Sequence, residues 1–255
     1  MAGMRDKHIW IFNGGNDFSG NPKWLFMYIV NHRKDIQPYW LCYNKRNLQY
    51  VRKLGFHAYL YKSKEGRRIM ERAGVYVVNQ VKEVLQPELD GITILNLWHG
   101  VGCKTVERKV TSGFLQARII KKYIQNYAKY RNQQLFLVTS PLMEKHFIGQ
   151  CGLEEDQLVR GGYPCCMHKD DVKTFDHDIL KQKGLPADTK IAVYAPTYRD
   201  ASPNTFFEKA IPDMEQLVQK LQEKHMLLIF KMHPLMGGDR HYQQVKQLYE
   251  NHPNL

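Results

Sequence analysis

The sequence lacks the features that mark zinc-binding, disulfide-stapled and membrane-spanning proteins. It has five cysteines, which are Cys42, Cys103, Cys151, Cys165 and Cys166. No two of them have the C-x-x-C spacing of a zinc or redox site, so we expect reduced thiols in a cytosolic protein, with no metal and no cofactor. No apolar run approaches the roughly 20 residues that span a bilayer. We also expect no signal peptide, since the N-terminus leads only into the short apolar stretch Ile9–Phe12.

Acidic residues are few relative to basic ones: 25 Asp and Glu stand against 37 Lys and Arg, for a formal net charge of +12. That excess fits nucleic acid, an anionic membrane surface or phosphorylated substrates. Zinc-finger and RRM-type signatures are absent, so no nucleic acid is expected as a partner. The basic stretch Arg118–Arg131 is a candidate surface for anionic lipid or a polyanionic acceptor, although a charge run is more often a solvated helix face.

Short apolar runs alternate with amphipathic segments in the first half of the chain. The runs are His8–Phe12, Tyr39–Tyr43, His57–Tyr61, Val75–Asn79 and Ile92–Trp98. They are apolar throughout, which is typical of parallel strands buried on both faces. The first helix is predicted to begin with Asn21 as N-cap and Pro22 in its first turn. Such alternation predicts right-handed β-α-β units and an α/β fold.

The second half continues with fewer strands. Further strands are predicted at Leu135–Thr139, Val159–Gly161, Lys190–Tyr194 and Met226–Lys231, and further helices at Thr111–Arg131, Val172–Lys183, Phe206–Lys224 and Asp239–Asn251. The loop Gly161–Asp170 is the predicted boundary between two α/β domains, residues 1–165 and 166–255. The second domain has two clear strands, whereas a doubly wound domain normally has about four or more, so we expect it to be incomplete at its C-terminus.

The first candidate site is the loop Trp98–Lys104, which follows a predicted strand. Ligands of open α/β sheets bind at the carboxyl ends of the strands, and Gly100 and Gly102 let the backbone approach a ligand closely. An imidazole titrates near neutral pH, so His99 is placed to act as a general base on a substrate hydroxyl. Lys104 adds a cation for phosphate. A lone histidine bonded within a turn is the structural alternative.

Two more strand-end segments carry groups suited to phosphate. Lys231 and His233 could neutralise a diphosphate leaving group without a metal. In Val193–Asp200, Arg199 is a bidentate donor for phosphate oxygens and Thr197 offers a hydroxyl. The alternatives are a strand-capping histidine and an ordinary proline turn.

Two glycine-containing turns complete the set. Gly14–Lys23 could cradle an anion at a helix N-terminus, although it lacks P-loop spacing. Gly161–Pro164 is either a linker between the domains or part of a site.

Together these segments resemble the CDP-glycerol glycerophosphotransferase family, the teichoic-acid and capsule polymerases and primases. The resemblance rests on five segments in the same order, which are Phe18–Phe26, Trp98-His99-Gly100 with Lys104, Gly162-Tyr163-Pro164, Tyr194–Asp200 and Lys231–Pro234. The family often continues after Trp-His-Gly with Thr-Pro-Leu-Lys, whereas this chain has Val101-Gly102-Cys103-Lys104. A later Asp-Tyr-Ser-Ser segment of the family lies past the end of this chain.

The resemblance implies two tandem Rossmann-like domains of the GT-B type, attached peripherally to the inner face of the cell membrane. The front domain would bind a lipid-linked or polymeric acceptor, and the rear domain a CDP-alditol donor, CDP-glycerol above all. His99 and His233 would be catalytic, on opposite sides of a cleft. The donor diphosphate would be held by Thr197, Arg199, Lys231 and His233. The acceptor or its phosphates would contact Asn21, Lys23, Gly100 and Lys104.

Two alternatives remain open from the sequence. One is a GT-B glycosyltransferase that uses a nucleotide sugar. The other is a non-catalytic basic module that binds anionic membrane or nucleic acid, with salt-dependent affinity and no need for either histidine.

Overall fold

The computed structural model describes residues 5–85, 90–102, 104–131, 134–167, 179–196, 206–233 and 239–255. By its internal contacts the chain divides into two compact units, Met1–Val172 and Lys173–Leu255. The domain boundary after residue 165 stays a prediction, because residues 168–178 lie outside the described ranges. None of the described helices combines the length and the apolar character needed to cross a bilayer.

The first unit contains a parallel sheet of seven strands. They are β1 (Asp6–Phe12), β2 (Gln37–Cys42), β3 (Ala58–Leu60), β4 (Ala73–Val78), β5 (Thr93–Asn96), β6 (Gln134–Val138) and β7 (Leu158–Arg160). Their order is β3-β2-β1-β4-β5-β6-β7, with every neighbouring pair parallel. Chain order reverses between β1 and β4, which creates the crevice where such sheets bind ligands. All seven strands predicted in this part of the chain are confirmed.

Helices cover the sheet. They are α1 (Gly20–His32), α2 (Lys45–Lys53), α3 (Lys64–Arg72), α4 (Gly113–Gln125), α5 (Tyr127–Arg131), α6 (Pro141–Cys151) and α7 (Pro164–Met167). Ser140 caps α6 by accepting from the amide of Met143, and Gly152 ends that helix in the left-handed conformation. The N-cap of α1 is Ser19, so the prediction for Asn21 was wrong: Asn21 lies inside the first turn, where its side chain has other partners.

The core lies on both faces of the sheet, because alternate residues of each strand point to opposite sides. On one face the rings of Phe12, Phe18, Phe26 and Trp40 pack edge to face, with Phe18 and Trp40 centroids 4.6 Å apart. On the other face the buried residues include Ile9, Ile11, Leu41, Tyr76 and Ile94. Full burial of each such side chain stabilises the fold by about 1.5–3 kcal/mol, which explains why the strands are apolar throughout.

The second unit has two parallel strands, β8 (Lys190–Tyr194) and β9 (Met226–Phe230), paired from Lys190 with Met226 to Tyr194 with Phe230. Its helices are α8 (Ile179–Lys183), α9 (Phe206–Ala210), α10 (Met214–Glu223) and α11 (Arg240–Tyr249). The aromatic ring of Phe207 is fully buried at its core with Met214 and Val245.

Two helices predicted as continuous are interrupted. The segment Phe206–Lys224 forms α9 and α10, because Pro212 cannot continue a helix and Asp213 caps the next one through the amide of Gln216. The segment Thr111–Arg131 forms α4 and α5, and the break falls at Asn126, whose side chain donates to the carbonyl of Lys122. Asparagine offers the backbone a hydrogen bond that competes with helix continuation.

Candidate active site

The backbone after β5 adopts an unusual conformation directly before His99. Trp98 has a φ of 54°, in the left-handed region that bulky side chains rarely adopt. Its amide donates to the side-chain Oδ1 of Asn96 at 3.0 Å. Such strain costs of order 1–3 kcal/mol and persists only where the surroundings enforce it, and it concentrates at functional sites.

The two rings at this turn have different environments. Trp98 is 8% exposed and packs against Phe136 and Phe147, with centroid distances of 5.6 and 5.3 Å. The His99 ring stacks on Trp98 with centroids 4.4 Å apart and an interplanar angle of 21°. The residue His99 is exposed as a whole. The tryptophan therefore anchors the turn in the core while the histidine reaches the surface.

The surroundings of His99 favour the neutral imidazole. Although His99 as a residue is exposed, Trp98 covers one face of its ring, and the resulting desolvation lowers the pKa of His99 below its ordinary value. The cation of Lys82 lowers this pKa further. Glu107 acts in the opposite direction, and Lys122 again lowers the pKa. A neutral imidazole at neutral pH can accept a proton, as a general base must.

A pocket of about 230 Å³ opens beside His99. It is lined by Trp98, His99, Gly100, Val101, Gly102, Lys104, Val106 and Phe147. The structure thus brings together three predicted site residues, His99, Gly100 and Lys104, and it leaves Lys104 exposed. An imidazole and an ammonium group at one pocket suit a substrate that carries both a hydroxyl and a phosphate.

A polar pair that the sequence did not predict lines a second cavity, which shares Trp98 with this pocket. Lys122 Nζ is 2.6 Å from both carboxylate oxygens of Glu107, and the two side chains are 22% and 11% exposed. Glu107 has a φ of 51°, and together with Trp98 and Lys122 it lines a small cavity. One signal was available: Glu107 is the only acidic residue between Asp90 and Glu144 in a strongly basic stretch.

The structure gives Asn21 and Lys23 defined surroundings on α1. Asn21 is 3% exposed, and its Nδ2 donates to the carbonyl oxygen of Trp98 at 2.9 Å. Lys23 Nζ lies 4.6 Å from the ring centroid of Trp24, and burial lowers the pKa of Lys23. Contact of either residue with an acceptor stays a prediction.

The predicted donor residues are described only in part. Lys231 and His233 follow β9 and are exposed, and the amide of Lys231 donates to the carbonyl of Tyr194 at 2.9 Å. That bond aligns the carboxyl ends of β8 and β9. Thr197 and Arg199 lie outside the described residues. Within the described ranges, no three His, Cys, Asp or Glu side chains are grouped so that they could hold a metal ion.

Comparison with known proteins points to one family. The sequence model described as CDP-Glycerol:Poly(glycerophosphate) glycerophosphotransferase matches residues 2–252. The teichoic acid poly(glycerol phosphate) polymerase of Bacillus subtilis (strain 168) is 24% identical over 89% of this chain and 31% of its own length. The teichoic acid glycerol-phosphate transferase of Staphylococcus aureus (strain NCTC 8325 / PS 47) is 25% identical over 100% of this chain and 68% of its own length.

A solved structure shares the fold. One variant of the wall teichoic acid polymerase TagF superposes with a TM-score of 0.73 at 19% identity, over 98% of this chain and 61% of the TagF chain. This likeness confirms the α/β fold of the GT-B type, while the division into two tandem Rossmann-like domains stays a prediction. The chain spans about a third of the Bacillus polymerase and under two thirds of TagF.

Proposed function

This chain belongs to the CDP-glycerol:poly(glycerophosphate) glycerophosphotransferase family, and we propose that it transfers glycerol phosphate from CDP-glycerol to a lipid-linked or polymeric acceptor. The product would be a teichoic-acid-like or capsule polymer of the cell wall. The observation that carries this proposal is His99, a histidine with a lowered pKa that lies with Lys104 at a pocket beyond the carboxyl end of β5.

The reaction assigns separate tasks to the two histidines. His99 takes the proton from the acceptor hydroxyl as its oxygen attacks the phosphorus that bears the glycerol. The bond between that phosphorus and the oxygen bridging to CMP breaks, and CMP leaves. Lys231 and His233, with Thr197 and Arg199, hold the donor diphosphate and offset the charge that develops on the leaving CMP.

The acceptor side is proposed to use the pocket around His99. Lys104 supplies a cation to the acceptor phosphate, and the backbone at Gly100 lets the acceptor approach without a side chain in the way. Near the start of α1, Lys23 is proposed to add a second positive charge for the acceptor phosphate and Asn21 a polar contact.

A surface of α4 and α5 supports peripheral attachment to the inner face of the membrane. Ile120, Ile124 and Tyr127 are 52%, 71% and 64% exposed, and basic side chains such as Arg118 and Lys121 lie among them. Exposed apolar side chains combined with lysine and arginine are typical of segments that lie in the interface of anionic bilayers. The mutant Ile120→Ser/Ile124→Ser should lose sedimentation with anionic vesicles, and unchanged sedimentation would contradict this attachment.

The decisive experiment follows CMP release by the full chain supplied with CDP-glycerol and a glycerol-phosphate acceptor. His99→Ala should lower turnover by about 10²–10⁴-fold, the usual cost of losing a general base. His57→Ala is the matched control, because His57 is an exposed histidine at the entrance to β3, in a different part of the sheet.

Three results would contradict the proposal. Near-normal turnover of His99→Ala would exclude His99 as the general base. Release of UDP from a nucleotide sugar, with no CMP from CDP-glycerol, would favour a glycosyltransferase. Salt-dependent polyanion binding without any turnover would favour a non-catalytic module.

A further inference from the structure

Asn21 joins three segments that are far apart in the sequence. Its Nδ2 donates to the carbonyl oxygens of Trp98 at 2.9 Å and Leu97 at 3.4 Å. Its Oδ1 accepts from the amide of Cys165, at the start of α7, at 3.3 Å. Both ends of one buried amide are therefore used to connect the start of α1, the turn that carries His99 and the segment after β7.

Tyr163 holds the other side of the same turn. Its hydroxyl donates to the carbonyl oxygen of Gly100 at 2.6 Å, and the residue is 7% exposed. The amide of Cys166 donates to the carbonyl of Tyr163 at 2.9 Å, so the start of α7 fixes this tyrosine. The Gly162-Tyr163-Pro164 segment therefore contacts the candidate site and does more than connect domains.

The turn needs such support. With Trp98 in the left-handed region, the Trp98–Gly100 backbone has an unfavourable intrinsic conformation. Asn96 binds the Trp98 amide, Asn21 binds the Trp98 carbonyl and Tyr163 binds the Gly100 carbonyl. Buried side chains thereby hold the backbone before His99, at the amide and carbonyl of Trp98, and after it, at the carbonyl of Gly100, whereas the imidazole itself lines the pocket.

We propose that Asn21 and Tyr163 are positioning residues that hold the Trp98–Gly100 turn in the conformation that presents His99 to the acceptor hydroxyl. The catalytic part of this inference rests on the proposed function. Neither residue needs to touch the substrate, which separates this role from the direct acceptor contact predicted for Asn21.

The kinetic test measures kcat and KM separately for CDP-glycerol and for the acceptor. Tyr163→Phe should lower kcat about tenfold and Asn21→Ala up to about 100-fold, because small displacements of a catalytic group carry costs of that size. The KM for both substrates should stay close to that of the wild type, since the interaction lost is with the turn and not with a substrate.

Matched controls separate positioning from general destabilisation. Asn47, in α2, is also a buried asparagine at 5% exposure, and Asn47→Ala removes an amide whose Nδ2 has no hydrogen-bond partner among the described residues. Tyr76 is a fully buried tyrosine whose hydroxyl accepts from the amide of Leu85 at 3.2 Å. Tyr76→Phe therefore removes a hydrogen bond of a buried tyrosine hydroxyl that belongs to a different core cluster from Trp98 and makes no bond to the Trp98–Gly100 turn. Both control variants should keep kcat near the wild-type value.

Amide hydrogen exchange gives a readout that does not depend on activity. Asn21→Ala should speed exchange at Trp98 and Cys165 by about tenfold, as expected from the loss of roughly one hydrogen bond's worth of local stability. Amides of β1 and β4 should keep their protection. If the wild-type chain shows no transfer from CDP-glycerol, the proposed function fails while this exchange result still decides whether the turn is held.

Two outcomes would overturn the inference. Unchanged exchange rates of the Trp98 and Cys165 amides in Asn21→Ala would show that the turn keeps its conformation without the side chain of Asn21. A raised acceptor KM with unchanged kcat would show that Asn21 binds the acceptor and does not position His99.

Discussion

Gly102 lies directly against the imidazole of His146, so that a Cβ on residue 102 would overlap Cδ2 and Nε2 of that ring. The amide of Gly102 also donates to Sδ of Met143 at 3.2 Å. His146 and Met143 both belong to α6. The loop that lines the His99 pocket therefore packs on α6 at a separation that leaves no space for a Cβ on residue 102, and this close contact accounts for the glycine at this position.

Replacing Gly102 with alanine should push this loop off α6. We expect overpacking to destabilise the fold by about 1–3 kcal/mol, and we expect kcat to fall because the displaced loop carries His99. Gly149→Ala is the control: Gly149 lies on an exposed part of α6, where a new Cβ would only reach Cε of Lys109 at 3.9 Å.

Denaturant unfolding and CMP release measure the two effects. Gly149→Ala should stabilise the protein by about 0.4–1 kcal/mol, since alanine is the better helix former. Equal free energies of unfolding for Gly102→Ala and the wild type would show that the loop can move away from α6 without loss of stability, and would contradict this prediction.

The pH dependence of catalysis should report the environment of His99. Its pKa is lowered by desolvation and by Lys82, and the base must be neutral to act. We therefore expect kcat/KM to rise with pH through a value below the ordinary 6.5 or so of histidine and to level off near neutrality. Lys82→Met removes a cation that lowers the pKa of His99, so the rising part of the kcat/KM profile should move to higher pH. Glu107→Gln removes an anion, so the rising part should move to lower pH.

The same shift has a consequence for stability. Because the folded pKa of His99 lies below the unfolded value, the unfolded chain binds more protons between the two. The neutral His99 makes its full contribution to the free energy of unfolding at pH values above the pKa of the unfolded state. That contribution is lost as the pH falls through the pKa of the folded state. A pH series of unfolding free energies for wild type and His99→Ala checks this, and parallel curves would contradict it.

The sequence predicted the sheet well because its strands must bury both faces. Runs such as Ile9–Phe12 and Val75–Val78 have no polar face, which only a strand covered on both sides can accommodate. The position of His99 followed from the same logic, since β5 ends just before it. The place of this candidate loop in the fold was thus predictable from the strand end, while its catalytic role stays a prediction.

Side-chain partners were not predictable in the same way. Asparagine is a residue type that often caps helices, but the side-chain amide of Asn21 binds Trp98 and Cys165, which are distant in the sequence. The Glu107–Lys122 pair likewise joins two segments without any helical or strand period between them. Such contacts depend on how the helices and strands pack against one another, and the order of residues along the chain does not reveal that packing.

The Glu107–Lys122 ion pair should be important for stability, because both side chains are largely buried. Removing one partner leaves a charge without compensation, which typically costs about 3–5 kcal/mol. We expect Glu107→Gln and Lys122→Met each to destabilise the protein strongly, and the double variant to recover part of the loss. A double-mutant cycle of unfolding free energies measures the coupling, and purely additive losses would contradict it.

Asp239 organises the second unit from a fully buried position. Its Oδ2 accepts from the amide of Phe207 at 3.2 Å, and its Oδ1 accepts from the amide of Tyr242 at 3.0 Å. One carboxylate thus satisfies amides at the starts of both α9 and α11, where helix N-termini favour a negative charge.

Replacing Asp239 should therefore cost more than replacing an ordinary cap. Asp213 is the matched control, because it caps α10 through a single bond to the amide of Gln216 at 2.8 Å and is exposed. Asp213→Ala should cost about 1 kcal/mol, whereas Asp239→Ala should cost about 2 kcal/mol or more, since two buried amides lose their acceptor. Asp239→Asn should fall between them, because an amide retains one oxygen and can serve only one helix well. Unfolding free energies of the three variants test this order, and equal losses for Asp239→Ala and Asp213→Ala would show that the second bond contributes nothing.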